Sequence, residues 1–139
     1  MLTISTDKTT LDVALIHRFL SEESYWAKNI PRPLVERSIE NSLCFAAFDS
    51  ESQVGFARVV TDRATFAYVG DVFVVSSHRG RGVSRLLLEA IRSHPDLQGL
   101  RRWHLLTRDA HALYEKFGFS PLGNPARHME VSVPEIYSR

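Results

Sequence analysis

The chain has 139 residues, 44% hydrophobic and 24% charged, with a formal net charge of +1. That length suits one domain, spanning 1–139, with a real core. The near-neutral balance gives no general electrostatic pull toward nucleic acid or a membrane surface. There is one cysteine, so no disulfide framework can form within the chain, and no apolar run nears the ~20 residues of a membrane span. No basic segment followed by an apolar stretch opens the chain, and cytoplasm is the expected compartment.

In chain order, residues 2–5 suit a short strand. Leu11, Leu15, Phe19 and Leu20 recur at helical spacing and predict a helix over 10–20, with Thr9 or Thr10 as its N-cap. The polar and aromatic stretch 21–33 reads as a loop, and a helix over 33–41 follows, with Pro33 in the favoured first position. Apolar runs over 43–48, 53–61 and 66–75, joined by short turns at 49–52 and 61–64, predict an antiparallel meander. Cys44 reads as a small buried hydrophobe within the first of these strands. Gly70, inside the third, predicts a bulge or a close backbone approach. Val83, Leu86, Leu87, Ala90 and Ile91 form one face of a helix over 82–93, which Pro95 stops. A strand over 103–106 precedes a helix over 107–117, capped by Thr107 and ended by Gly118. Residues 119–122 and 127–133 are strand-like and could pair around Gly123-Asn124-Pro125. The sum is a mixed α/β sandwich around one sheet.

Function concentrates where the strand 66–75 runs into Arg79-Gly80-Arg81-Gly82-Val83-Ser84 and a helix. Strand, glycine-rich turn and helix start make an anion cradle, because unpaired helix N–H groups point outward and the helix dipole favours negative charge. Two known phosphate signatures fail. No lysine follows Gly82 at P-loop spacing, and Arg85 stands where a dinucleotide fingerprint needs its third glycine. On this pair of glycines alone, a tight turn into a helix remains an alternative.

The wider pattern resembles the Gcn5-related N-acetyltransferases, the GNAT family. Their turn reads Arg/Gln-x-x-Gly-x-Gly/Ala; Arg79 and Gly82 match it, and Ser84 takes the last small position. Leu113-Tyr114-Glu115-Lys116-Phe117-Gly118-Phe119 resembles that family's Leu-Tyr-x-x-x-Gly-Phe element, in the right order and at about the right distance.

The resemblance implies a central, mostly antiparallel sheet with flanking helices. Its parallel strands 66–75 and 103–106 would splay to admit acetyl-CoA. It also implies backbone contacts from Val72 and Val74 to the pantetheine arm, with the Val72 amide on the thioester oxygen. The backbone of Arg79, Gly80, Arg81, Gly82, Val83 and Ser84 would hold the pyrophosphate, with charge from Arg79, Arg81 and Arg85. Thr107 would lie near the pantetheine. Tyr114 would donate to the leaving thiolate, with His111 on the same helical face. Asp71 is the first candidate for general base, with Glu22, Glu23 and Tyr68 as alternatives. Glu22, Tyr25 and Trp26 would receive the acceptor, either a small amine or a protein amine. No metal is implied, since the histidines show no ligand spacing on one element. A non-catalytic acyl-CoA sensor is the competing class, and monomer and homodimer both remain open.

Overall fold

The computed structural model describes residues 1–138. Its elements are β1 (Leu2–Ser5), α1 (Val13–Arg18), α2 (Arg32–Glu40), β2 (Leu43–Asp49), β3 (Ser52–Thr61), β4 (Phe66–Val74), α3 (Val83–Ser93), β5 (Arg102–Leu105) and α4 (His111–Glu115). The strands form one sheet in the order β1-β2-β3-β4-β5. Neighbours are antiparallel except β4 and β5, which are parallel. This is the mixed α/β sandwich that the sequence predicts.

The sheet is covered on both faces. On one face Leu87, Leu88 and Ile91 of α3 pack on Phe45, Ala57 and Val59. On the other, Ile16 and Phe19 from α1 and its continuation join Val35 and Ile39 of α2 over Cys44, Phe56 and Phe73. The alternation of strand side chains distributes neighbours between these two cores, so Cys44 and Phe45 enter opposite ones. Cys44 is buried, and burial pushes its thiol up to about 11. Phe19 stacks on Phe73 at 4.0 Å between ring centroids, which ties the first helix to the strand that carries the site.

Several boundaries differ from expectation. Asp12, not Thr9 or Thr10, caps α1 by accepting from the Leu15 amide at 3.1 Å. The two threonines lie in a short 3-10 turn that Asp7 caps. Past Arg18 the chain does not become loop at once but winds on as a π-turn over Phe19–Glu23. There the Ser24 hydroxyl donates to the Leu20 carbonyl and accepts from the Ala27 amide. Helix α2 starts one residue earlier than predicted, with Pro31 as cap and Pro33 in its first turn. Proline costs nothing there, because first-turn amides have no intrahelical partner.

The predicted helix 107–117 shrinks to His111–Glu115. Thr107 is not its N-cap residue. Instead the Thr107 hydroxyl accepts from the Ala110 amide at 3.0 Å in the preceding turn, while the Arg108 amide donates to the Tyr25 hydroxyl. One local and one tertiary bond thus hold 107–110 out of the helix. The strands predicted over 119–122 and 127–133 do not form; Pro125–Arg127 makes a 3-10 turn, and the segments around it join no sheet.

Gly55 lies where α3 meets β3. A Cβ there would stand 2.9 Å from Val83 Cγ1 and 3.2 Å from the Phe73 carbonyl oxygen. Gly55→Ala should therefore lower stability by about 1–3 kcal/mol, read as a lower urea midpoint at unchanged slope.

Candidate active site

The site starts from an interruption in pairing. Strand β4 runs beside β5 only from Phe66↔Arg102 to Val69↔Leu105. At the next position β4 bulges. Phe56 faces Phe73 but Arg58 faces Gly70, so β4 holds one more residue than β3 across this step. The bulge falls beside Gly70, where the sequence predicts one, and its left-handed residue is Asp71, with φ 52°. Beyond the bulge β4 stays bonded to β3, and Val75 donates to the Val54 carbonyl at 2.9 Å. Phe73 and Val75 thus turn their backbone groups toward β3, and the alternate residues Val72 and Val74 turn theirs to the side that β5 has left. The strands part there, as the resemblance predicts.

At the end of β4, a 3-10 turn over Ser76–His78 leads to Gly80 (φ 75°) and Gly82 (φ 80°). Both glycines are left-handed, and Gly82 caps α3 without any side-chain hydrogen bond. The first-turn amides of α3 therefore face outward unclaimed by a capping side chain, as an anion site requires. Buried Val83 anchors this turn to the sheet. A cavity of about 540 Å³ opens here, lined by Val74, Arg79, Gly80, Gly82, Ser84 and Arg85 among others. Arg79 lies inward and donates from Nε to the Val74 carbonyl at 3.3 Å. Arg85 pairs with Glu89 along α3, and Arg81 does not border the cavity. Leu113, Lys116 and Phe117 of the α4 region close the far wall. Lys116 escaped the sequence reading, although it sits within the quoted motif two residues after Tyr114. His78 also lines the cavity and is fixed by hydrogen bonds to Asp49 Oδ2 and Ser77 Oγ, both at 2.8 Å.

A second cavity of about 1020 Å³ is bordered by Val69 to Val72 of β4 and by Leu106 to Ala110 after β5. Val72, Asp71, Thr107, Tyr114, Tyr25 and Trp26 all border it, which brings together six of the predicted site residues. Glu22 and Glu23 do not border it; the Glu22 carbonyl instead accepts from Lys28 Nζ. The resemblance put Glu22 at the acceptor, and the π-turn that extends α1 carries it away from this wall.

Asp71 is fully engaged. Its Oδ1 accepts from Trp26 Nε1 and its Oδ2 from Arg58 Nε, both at 2.8 Å. Arg58 also donates to the Ser42 hydroxyl at 3.1 Å. The bulge, the aromatic loop and β3 are thereby joined through one carboxylate. Sequence reasoning missed Arg58, whose signal was a lone charge within the apolar run Val54–Val60. Tyr25 is also occupied: the Arg108 guanidinium stands 4.0 Å over its ring and the Arg108 amide donates to its hydroxyl. Arg37 and Tyr137, likewise unforeseen, complete the wall.

Tyr114 faces this cavity from α4, wedged against Phe119 at 6.0 Å between centroids. Burial pushes its hydroxyl up to about 12, with Tyr25 and Tyr68 adding to the effect. Among the described residues its hydroxyl makes no hydrogen bond, and Tyr114 borders the cavity. Tyr68 is raised as well, first by burial and then by Asp71. His111, one turn before Tyr114, does not border either cavity. Among the described residues no cluster of three or more His, Cys, Asp or Glu side chains is arranged to hold a metal. No described helix is long and apolar enough to cross a membrane.

A parted strand pair, a glycine-rich anion turn and a tyrosine on the following helix define the acetyltransferase class of this fold. The family profile for the acetyltransferase (GNAT) domain matches residues 40–121. A candidate GNAT acetyltransferase of Xanthomonas campestris, known from a crystal structure, is 55% identical; the match covers 100% of this chain and 98% of that one, at a TM-score of 0.98. A candidate acetyltransferase of Gibberella zeae is 32% identical over 135 residues, covering 81% of this chain and 75% of its own length. The mouse N-alpha-acetyltransferase 80 is 37% identical over 76 residues, covering 53% of this chain and 24% of its own length. The chain belongs to the GNAT acetyltransferase family.

Removing the Asp71 carboxylate leaves Arg58, whose side chain is 20% exposed, without its ion-pair partner. Asp71→Ala should cost about 2 kcal/mol in urea unfolding, since a largely buried cation loses its partner and alanine resists φ 52°. Asp71→Asn tolerates the left-handed backbone and keeps an oxygen for Trp26, so it should cost less.

Proposed function

We propose that the protein transfers an acetyl group from acetyl-CoA to a primary amine by direct attack while both are bound. The observation that carries this reading is the placement of an anion cradle and a second, larger cavity along successive stretches of one open strand, Val74 bordering the first and Val69 to Val72 the second, with Tyr114 lining the second from α4. The residues fit the donor. The outward amides and left-handed glycines of the Gly80–Ser84 turn suit a pyrophosphate, with Arg79 and Lys116 supplying charge. The backbone of Val72 and the amide of Val74, whose carbonyl already accepts from Arg79, suit an amide-bearing arm that completes the interrupted sheet, much as a strand would. The likeness to the mouse N-alpha-acetyltransferase favours nitrogen as the acceptor atom.

In this mechanism the neutral amine nitrogen attacks the thioester carbonyl carbon. The Val72 amide donates to the carbonyl oxygen, a contact that strengthens as negative charge builds there. The C–S bond breaks, the electron pair leaves on sulfur, and Tyr114 donates a hydrogen bond to the thiolate. Full proton transfer from Tyr114 is not required. A thiol ionises near ~8.5 and this tyrosine near 12, so transfer in the resting site is uphill by about 5 kcal/mol. The proton that the amine loses passes to solvent through the open second cavity. Both Asp71 oxygens already accept hydrogen bonds, so Asp71 acts chiefly by holding Trp26 and Arg58 in place and by attracting the ammonium form. The same cavity carries Arg37, Arg58 and Arg108 against Asp71 and Asp109, which favours an acceptor bearing an anionic group beside its amine. Both a small amino acid and a protein N-terminus that opens with acidic side chains meet that description.

Amine-dependent release of free thiol from acetyl-CoA tests the reading, using a panel of amines with and without a carboxylate or phosphate. Tyr114→Phe should lower kcat roughly 100-fold while leaving acetyl-CoA affinity within about twofold. Tight acetyl-CoA binding with no release across the panel would instead identify a sensor. The rate should rise with pH as the amine loses its proton and then level off. A hydroxyl held near 12 stays protonated throughout, so no fall assignable to Tyr114 should appear up to pH 10.

A further inference from the structure

The segment Arg127-His128-Met129-Glu130-Val131-Ser132-Val133-Pro134-Glu135 has the alternation of a strand but no partner within the described chain. Met129 is 97% exposed and Val131 99%, with Val133 half exposed beside them. Among the described residues no amide from Met129 to Val133 donates a backbone hydrogen bond. Both ends of the segment are nonetheless held. The His128 ring stacks on His104 of β5 at 6.2 Å, and Asn29 Nδ2 donates to the Ser138 hydroxyl at 3.0 Å. The middle is therefore an extended ribbon along the cavity wall, with unpaired amides and an outward apolar stripe. Such an edge is a template for another strand, and a contiguous exposed apolar strip marks an interaction site.

We infer that this ribbon pairs antiparallel with the same ribbon of a second copy, about a two-fold axis at Val131. The sequence of the segment favours self-association over other occupants. In that register partners sum to 262, so Val131 meets Val131, Met129 meets Val133, Glu130 meets Ser132 and Arg127 meets Glu135. Every apolar side chain on the stripe then faces another, the outer pair is of opposite charge, and no like charges are opposed. A shift of the axis to Glu130 would oppose two glutamates and set Met129 against Val131, yet leave Val133 facing Arg127. The contact is isologous and closes on itself, so it yields a dimer and not a fibre. Ser132, Pro134 and Tyr137 border the larger cavity, so the dimer contact would brace one wall of it.

Sedimentation equilibrium of the full chain over roughly 5–200 μM, the span in which a small interface associates, should show a monomer–dimer equilibrium. Val131→Glu sets two carboxylates at the axis and should give a monomer whose melting temperature matches that of wild type at concentrations low enough for wild type to be monomeric. Single substitutions Val131→Cys, Met129→Cys and Val133→Cys, made in a chain whose own Cys44 is buried, fix the register under mild oxidation. The first should form an interchain disulfide at least roughly tenfold faster than the other two, because only the axial residue meets its own copy. A wild type that stays monomeric at the highest concentration overturns the inference. So does a Val131→Glu dimer as tight as wild type, or equal crosslinking rates at the three positions.

Discussion

The parting of β4 from β5 is the constraint on which the rest of this structure depends. Four residue pairs hold the two strands together, and then β4 continues for five more residues with nothing beside it. A central strand with a bare flank is costly unless something fills it, since its buried amides and carbonyls seek partners. Two devices keep the gap open. The bulge at Asp71 bends β4 away and is locked by Arg58 and Trp26, and the Arg108–Tyr25 contacts draw the chain after β5 outward. Each joins elements distant in sequence, so the gap is a property of the packed fold and not of either strand.

This arrangement separates two tasks. The turn after β4 offers backbone amides and glycine conformations, chemistry suited to phosphate oxygens of any identity. The larger cavity offers side chains, and these come from the aromatic loop, α2, β3, the turn before α4 and the C-terminal segment. Donor recognition can thus be shared across a family while acceptor recognition varies, because loops change more easily than a strand-to-helix junction.

The sheet, its meander and the anion turn were legible in the sequence because they rest on local signals: apolar runs, short polar turns, and glycines before a helix. Tyr114 was legible for the same reason, lying in a short motif beside Gly118. The acceptor side was less so. Glu22 and Trp26 lie four positions apart in one loop, yet only Trp26 reaches the cavity, because an unforeseen π-turn rotates Glu22 outward. Arg58 and Asp71 lie on different strands, and nothing local shows that the bulge brings them within 2.8 Å. The terminal segment was misjudged for a different reason. Its alternation is real, but alternation alone does not supply a neighbouring strand, and none lies beside it among the described residues.

The central claim is that the bare flank of β4 is a binding surface for the donor's arm. Amide hydrogen exchange, followed by NMR with and without acetyl-CoA, tests it directly. The account predicts that the amides of Val72 and Val74, together with those from Gly80 to Ser84, become strongly protected on binding, while Phe73, already bonded to β3, changes little. Protection confined to the turn, with Val72 and Val74 exchanging as before, would contradict it.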